Sequence, residues 1–96
     1  MKIKVKGYLS IKKAMGNRSP IEMKIEGATL RDVLNELREK FGKDLGNLLY
    51  DDETKEVSPN ILVFVNGRHY SFLPKQMDTE LKDDDEVSIF PPVAGG

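Results

Sequence analysis

Apolar positions recur along this chain with two periods, and the switches between them mark out most of its elements. From Lys2 to Leu9 the pattern alternates, with Ile3, Val5 and Gly7 on one face and Lys2, Lys4, Lys6 and Tyr8 on the other. Such alternation predicts a strand buried on one side. Ser10 to Pro20 connects, with a helical turn through Ile11 and Met15 and a tight turn at Gly16-Asn17. A second alternating run sets Ile21, Met23 and Ile25 against Glu22, Lys24 and Glu26, a strand antiparallel to the first and closed by Gly27. From Thr29 to Phe41 the period lengthens, and Leu30, Val33, Leu34, Leu37 and Phe41 form the single stripe of an amphipathic helix. Thr29 and Asp32 have the spacing of a capping box, Glu36 and Lys40 that of an outward ion pair, and Gly42 that of a left-handed C-terminal cap.

Lys43 to Tyr50 reads as a short second helix burying Leu45, Leu48 and Leu49, and Asp51-Asp52-Glu53 opens a polar loop to Pro59. The loop's carboxylates lack the spacing of a calcium loop and read as solvated. Ile61 to Val65 is continuously apolar, as an interior strand is, and Asn66-Gly67 is a strong signal for a type I′ hairpin turn. Arg68-His69-Tyr70 returns as a short polar edge strand. After a loop from Ser71 to Met77, Leu81 leads through Lys82-Asp83-Asp84-Asp85-Glu86 into a last strand, Val87 to Phe90. The order β-β-α, short α, β-β-β fits a compact α+β roll with one long helix covering one sheet face. The last strand, rich in Val, Ile and Phe, belongs mid-sheet, parallel to the first. Parity then turns Val5, Val87 and Ile89 toward the helix. Tyr8, Ser88 and Phe90 turn away from it, making an exposed aromatic patch.

Composition narrows the chemistry. With 96 residues, 39% hydrophobic and 32% charged, the chain suits one folded domain, and its net charge of −1 gives no steering toward nucleic acid or membrane. No apolar run approaches the roughly 18 residues of a membrane span, and no secretory segment follows Met1, so the reading is a cytoplasmic protein. There is no cysteine and one histidine, His69, so neither a thiolate nucleophile, a His-based zinc site nor a Ser-His-Asp triad is to be expected. No GxxxxGK[ST] or GxGxxG motif is present to cradle phosphate. The lysines of the first strand read as a solvated face, Tyr8 as a partner anchor and His69 as a rim contact.

What remains is the end of the chain. Pro91-Pro92 stops any ladder, since proline has no N–H to give, and Val93-Ala94-Gly95-Gly96 tapers to two residues without Cβ atoms. Six residues from Pro91 reach about 20 Å when extended. A terminal Gly-Gly arises by chance in roughly one chain in 200, but directly behind a buried strand and a Pro-Pro brake it reads as an arm for a narrow channel on another protein. The expected division is a domain over 1–90 and an extended flexible tail over 91–96.

Leu81-x-Asp-x-Asp-Glu-Val-x-Ile-Phe-Pro-Pro-Val-Ala-Gly-Gly resembles the end of the molybdopterin synthase small subunit (MoaD-type), among the ubiquitin-like β-grasp sulfur carriers (ThiS/MoaD family). Ile3-Lys4-Val5, the Thr29–Phe41 helix and Val65-Asn66-Gly67 fall in matching order, so the likeness runs nearly the whole chain. It implies a mixed sheet of about five strands in the order 2-1-5-3-4. It also implies a carrier whose Gly96 carboxylate is adenylated by a ubiquitin-activating-type adenylyltransferase and then thiocarboxylated by a sulfur donor protein. The thiocarboxylate would serve the large subunit of molybdopterin synthase in dithiolene formation for a molybdenum or tungsten cofactor. Gly95, Ala94, Val93, Pro92, Pro91, Phe90, Tyr8 and His69 would contact partners. The chain would be a monomer when free, a non-catalytic subunit with no active site, metal or bound cofactor of its own, ATP being used in trans. Asp84 departs from the family's usual glycine in an Asp-Gly-Asp turn, and the Ser71–Met77 loop is long for the family.

Three other readings stand beside this one. A ubiquitin-like modifier would use the same activated Gly96 for an isopeptide bond. A sulfur carrier for tRNA thiolation, thiazole or cysteine synthesis would have another recipient. A plain binding module would have only a frayed end.

Overall fold

The structure, a computed structural model, describes residues 1–25 and 28–91. Gly27, expected to close the second strand, and Pro92, Val93, Ala94, Gly95 and Gly96 lie outside the described residues. Strands β1 (Lys2–Gly7), β2 (Ile21–Lys24), β3 (Leu62–Val65), β4 (Arg68–His69) and β5 (Glu86–Phe90) form one sheet in the order β2-β1-β5-β3-β4. β5 lies mid-sheet, parallel to β1 with Val5 opposite Val87, and antiparallel to β3 with Val63 opposite Ile89. That is the order expected, and it pairs β5 along both of its edges.

Helix α2 (Leu30–Phe41) is held at its start by the capping box. Thr29 Oγ1 accepts the Asp32 N–H at 3.3 Å, and Asp32 Oδ2 accepts the Thr29 N–H at 3.0 Å. Its buried stripe, Leu30, Val33, Leu34 and Leu37, joins Ile3, Val5, Val63, Val87 and Ile89 in one core. Helix α1 (Ser10–Ala14) adds Ile11, and Met15 beyond its end, so close to β1 that a Cβ on Gly7 would come within 2.5 Å of the Met15 sulfur. Gly7 is therefore required by packing. Ser19 Oγ accepts the Gly7 N–H at 2.8 Å and donates to its carbonyl at 2.9 Å, continuing the ladder just before β2 begins.

Four local expectations change. Gly42 has positive φ (85°) but an extended ψ (−159°), not a left-handed helical one, because helix α3 (Lys43–Leu49) starts at once. That corner of backbone space is essentially open to glycine only. Among the described residues Glu36 and Lys40 make no ion pair, and the Lys40 ammonium instead lies 5.9 Å over the Phe41 ring. Tyr70 is not in β4. It starts a 3₁₀ turn (Tyr70–Phe72), which begins where His69 Nδ1 accepts the Ser71 N–H at 3.2 Å. The long loop is ordered by a second 3₁₀ turn (Gln76–Asp78), whose Met77 is buried and whose Asp78 meets Arg31 of α2 at 3.2 Å. No described helix is long and apolar enough to cross a membrane.

Candidate functional site: the open sheet face at the chain exit

The core takes one face of the sheet, and alternation pushes every second side chain onto the other. At the end of β5 that face is aromatic. The rings of Tyr8 and Phe90 stack with centroids 4.2 Å apart and planes 5° from parallel. The pairing that brings them together is the parallel one, in which the Tyr8 N–H donates to the Ile89 carbonyl at 3.1 Å. Phe64 meets Phe90 edge-on at 5.6 Å, and His69 meets Phe64 edge-on at 5.5 Å. Leu62, opposite Phe90 on β3, is 39% exposed, close to the 37% of Tyr8.

Thus the structure brings together Tyr8, Phe90 and His69, all expected at this face. It adds Leu62 and Phe64, which the apolar run of β3 had suggested were enclosed on both sides. β3 is interior by its neighbours, yet one of its faces has no helix over it. The parity applied to β5 finds both residues when applied to β3 as well. Phe72, 76% exposed, extends the strip past β4 with its ring 6.5 Å from that of His69. Pro91, expected to open the arm, is buried at the end of β5. The sequence beyond the described exit is therefore Pro92-Val93-Ala94-Gly95-Gly96.

The far half of the same face is polar. Lys6 Nζ sits 3.1 Å from Glu86, whose hydrogen bond and charge raise the lysine above its ordinary pKa. The acidic turn before β5 is used structurally. Asp83 Oδ1 accepts the Lys2 N–H at 2.7 Å, Asp85 Oδ2 accepts the Lys82 N–H at 2.7 Å, and Asn66 donates to Asp85 Oδ1 at 2.9 Å. Asn66 Oδ1 also accepts the Glu86 N–H at 2.9 Å, which locks the β3–β4 turn to the start of β5. Asp84 has φ 69°, the left-handed conformation that a glycine would take without strain. Among the described residues no cluster of three or more His, Cys, Asp or Glu is placed to hold a metal. The arrangement offers a chemically unreactive apolar surface at the root of the chain's last residues. Its capacity is for binding.

A β2-β1-β5-β3-β4 sheet, with a capped helix over one face and this aromatic surface on the other, defines a ubiquitin-like β-grasp protein. A sequence model of the ThiS family matches residues 13–96, and the chain belongs to that family of ubiquitin-like sulfur carriers. A protein of Archaeoglobus fulgidus, named as a candidate sulfur carrier protein, is 40% identical over 96 residues, the whole of both chains. The small archaeal modifier protein 3 of Haloferax volcanii is 35% identical, again over the whole of both chains. Among solved structures, a candidate molybdopterin converting factor subunit 1 from Pyrococcus furiosus superposes with a TM-score of 0.74 at 30% identity, covering 97% of this chain and 99% of that one.

Proposed function

We propose that this chain is the sulfur-donating small subunit of a molybdopterin synthase, carrying sulfur as a thiocarboxylate on Gly96. The observation that carries the reading is the contiguity of the Tyr8–Phe90–Phe64 surface with the exit of a strand whose remaining sequence is Pro-Val-Ala-Gly-Gly. A partner gripping that surface holds the tail's root, so the reactive end is delivered as an oriented, effectively intramolecular group.

The chemistry follows from the carboxylate. A C-terminal carboxyl with a pKa near ~3.3–3.7 is an anion at neutral pH and a poor acyl donor. A Gly96 oxygen attacks the α-phosphorus of ATP on the activating enzyme, the Pα–O bond to pyrophosphate breaks, and an acyl-adenylate results. A hydrosulfide equivalent from a donor protein then attacks the acyl carbon and AMP leaves, giving the thiocarboxylate. In the synthase that sulfur attacks a carbon of the pterin precursor and displaces an oxygen leaving group there; water then cleaves the acyl C–S bond, which leaves the sulfur on the pterin and returns Gly96 to a carboxylate. With no cysteine in the chain, both the sulfur and the nucleotide chemistry come from partners. The likeness to the converting factor subunit supports molybdopterin as the recipient pathway.

The likeness to the small archaeal modifier protein favours a second reading, in which a lysine amine attacks the same adenylate-derived acyl group to form an isopeptide. Intact mass spectrometry after incubation with the activating enzyme, ATP and a sulfur donor separates the two. One oxygen exchanged for one sulfur, consumed on adding the large subunit and the pterin precursor, is the expected outcome. Ladders of conjugates on other proteins would favour the modifier, and an unchanged mass would refute both. Deleting Gly96 is expected to abolish transfer without shifting the melting temperature. A wild-type rate from the shortened chain would overturn the assignment.

A further inference from the structure

Leu9 follows Tyr8 directly, and its conformation is costly. The Ile11 N–H donates to the Tyr8 carbonyl at 3.0 Å, closing a four-residue turn with Leu9 in its first central position at φ 54° and ψ −123°. These are the angles of a type II′ turn, a position that favours glycine because a Cβ crowds the backbone there. A bulky side chain at positive φ is an outlier. The side chain gains nothing in return from the domain. It is 76% exposed and takes no part in the core, unlike Ile11 two residues on, which is fully buried. Strained, unrewarded residues of this kind cluster at binding sites, where a partner supplies the missing contact.

Its position says which partner. Gly7 lies opposite Ile89 in the parallel β1–β5 pair, so Leu9, two residues beyond Gly7, stands at the same end of the sheet as Pro91, where the described chain ends. Five residues, the length from Pro92 to Gly96, reach at most ~18 Å. An enzyme that draws Gly96 into its reactive centre must therefore lie over the ground around Pro91, and Leu9 is the most exposed apolar side chain on the β1 side of it. Opposite, Lys6 and Lys12 share with Leu9 and Tyr8 the lining of a shallow hollow. The unmodified carboxylate is the substrate of the adenylating enzyme, so that enzyme meets the free chain first.

We infer that Leu9 is a docking prong for the ATP-dependent enzyme that adenylates Gly96, seated in an apolar socket with an acidic group facing Lys12. The fold bears the strained turn to keep that side chain in place. This rests on the carrier reading above.

Leu9→Gly tests both halves, because the two effects have opposite signs. Relief of the positive-φ strain should raise the melting temperature by about 4–8 °C, the usual response of a domain this size to such a change. Loss of the prong should raise KM for the carrier roughly tenfold in ATP–pyrophosphate exchange with the activating enzyme, kcat staying unchanged, as for a truncated interface anchor. Leu9→Ala, which keeps the Cβ, should leave the melting temperature near wild type and raise KM alike, and Leu9→Met should restore it. Wild-type KM in Leu9→Gly overturns the docking role, and an unchanged or lowered melting temperature overturns the strain. If the wild-type chain supports no exchange at all, the carrier reading falls together with this inference. If it does and Leu9→Gly matches it, only the inference falls.

Discussion

The two faces of the central sheet are made from the same strands and from neighbouring residues, yet they have opposite fates. Under α2, Ile3, Val5, Val63, Val87 and Ile89 are fully buried. One residue along each strand, Tyr8, Leu62, Phe64 and Phe90 are also apolar or aromatic, but none is buried. Apolar character therefore does not separate the faces. What separates them is that the described residues form one long helix, and it covers one side. Each large side chain left partly uncovered forgoes a share of the ~1.5–3 kcal/mol that full burial gives, which a partner can recover and the isolated domain cannot. One face holds the fold together, and the other is kept available.

That contrast can be broken from either side. Ile89→Ala opens a cavity between α2 and the sheet and should cost about 2–5 kcal/mol of stability, read by denaturant unfolding, with binding unchanged once folded. Phe90→Asp, the adjacent residue on the other face, should leave the fold cooperative. It should weaken the complexes proposed above, with an activating enzyme and a synthase large subunit, by ~2 kcal/mol or more, measured by titration calorimetry. Equal affinities for wild type and Phe90→Asp would erase the distinction between the faces.

Smaller changes sharpen it. Asp84→Gly relieves a left-handed residue in the turn that sets the register of β5, on which both faces depend, and should add about 0.5–1 kcal/mol of stability with no effect on binding. Tyr50 lies off the sheet, beyond α3, where its hydroxyl donates to Asn35 Oδ1 and the Arg38 guanidinium lies 4.7 Å over its ring. Burial pushes the phenol up, against a smaller downward pull from Arg38 and Arg31. Because the folded phenol holds its proton more tightly than the unfolded one, its contribution is complete below the ordinary tyrosine pKa of about 10. It is lost as pH rises through the folded value. Tyr50→Phe should therefore flatten the alkaline limb of the stability profile while the sheet's two faces behave as before.

Much of this was legible without coordinates. Thr29 and Asp32 announced the capping box, since a hydroxyl and a carboxylate three residues apart satisfy each other's free amides locally. Asn66-Gly67 announced its turn for a similarly local reason, and φ values of 52° and 84° bear it out. Tyr8 and Phe90 could be placed together by parity once β5 was set beside β1. Leu62 and Phe64 were hidden in an unbroken apolar run, which looks the same whether one face or both are covered, and only the parity of β5 carried across to β3 brings them out. Leu9 gave no signal, because nothing in Gly-Tyr-Leu-Ser demands a positive φ.

By itself, then, the order of residues determined which way each side chain points along its strand or helix, where the Asn66-Gly67 turn falls and what the last residues are made of. These are consequences of backbone geometry acting over a few positions. The tertiary structure decided which of the apolar surfaces would be covered. That choice depends on contacts between segments far apart in the chain, such as the stack of Tyr8 on Phe90 or the seating of Met15 against Gly7. Local periodicity states the side a residue faces, and only packing states what it finds there.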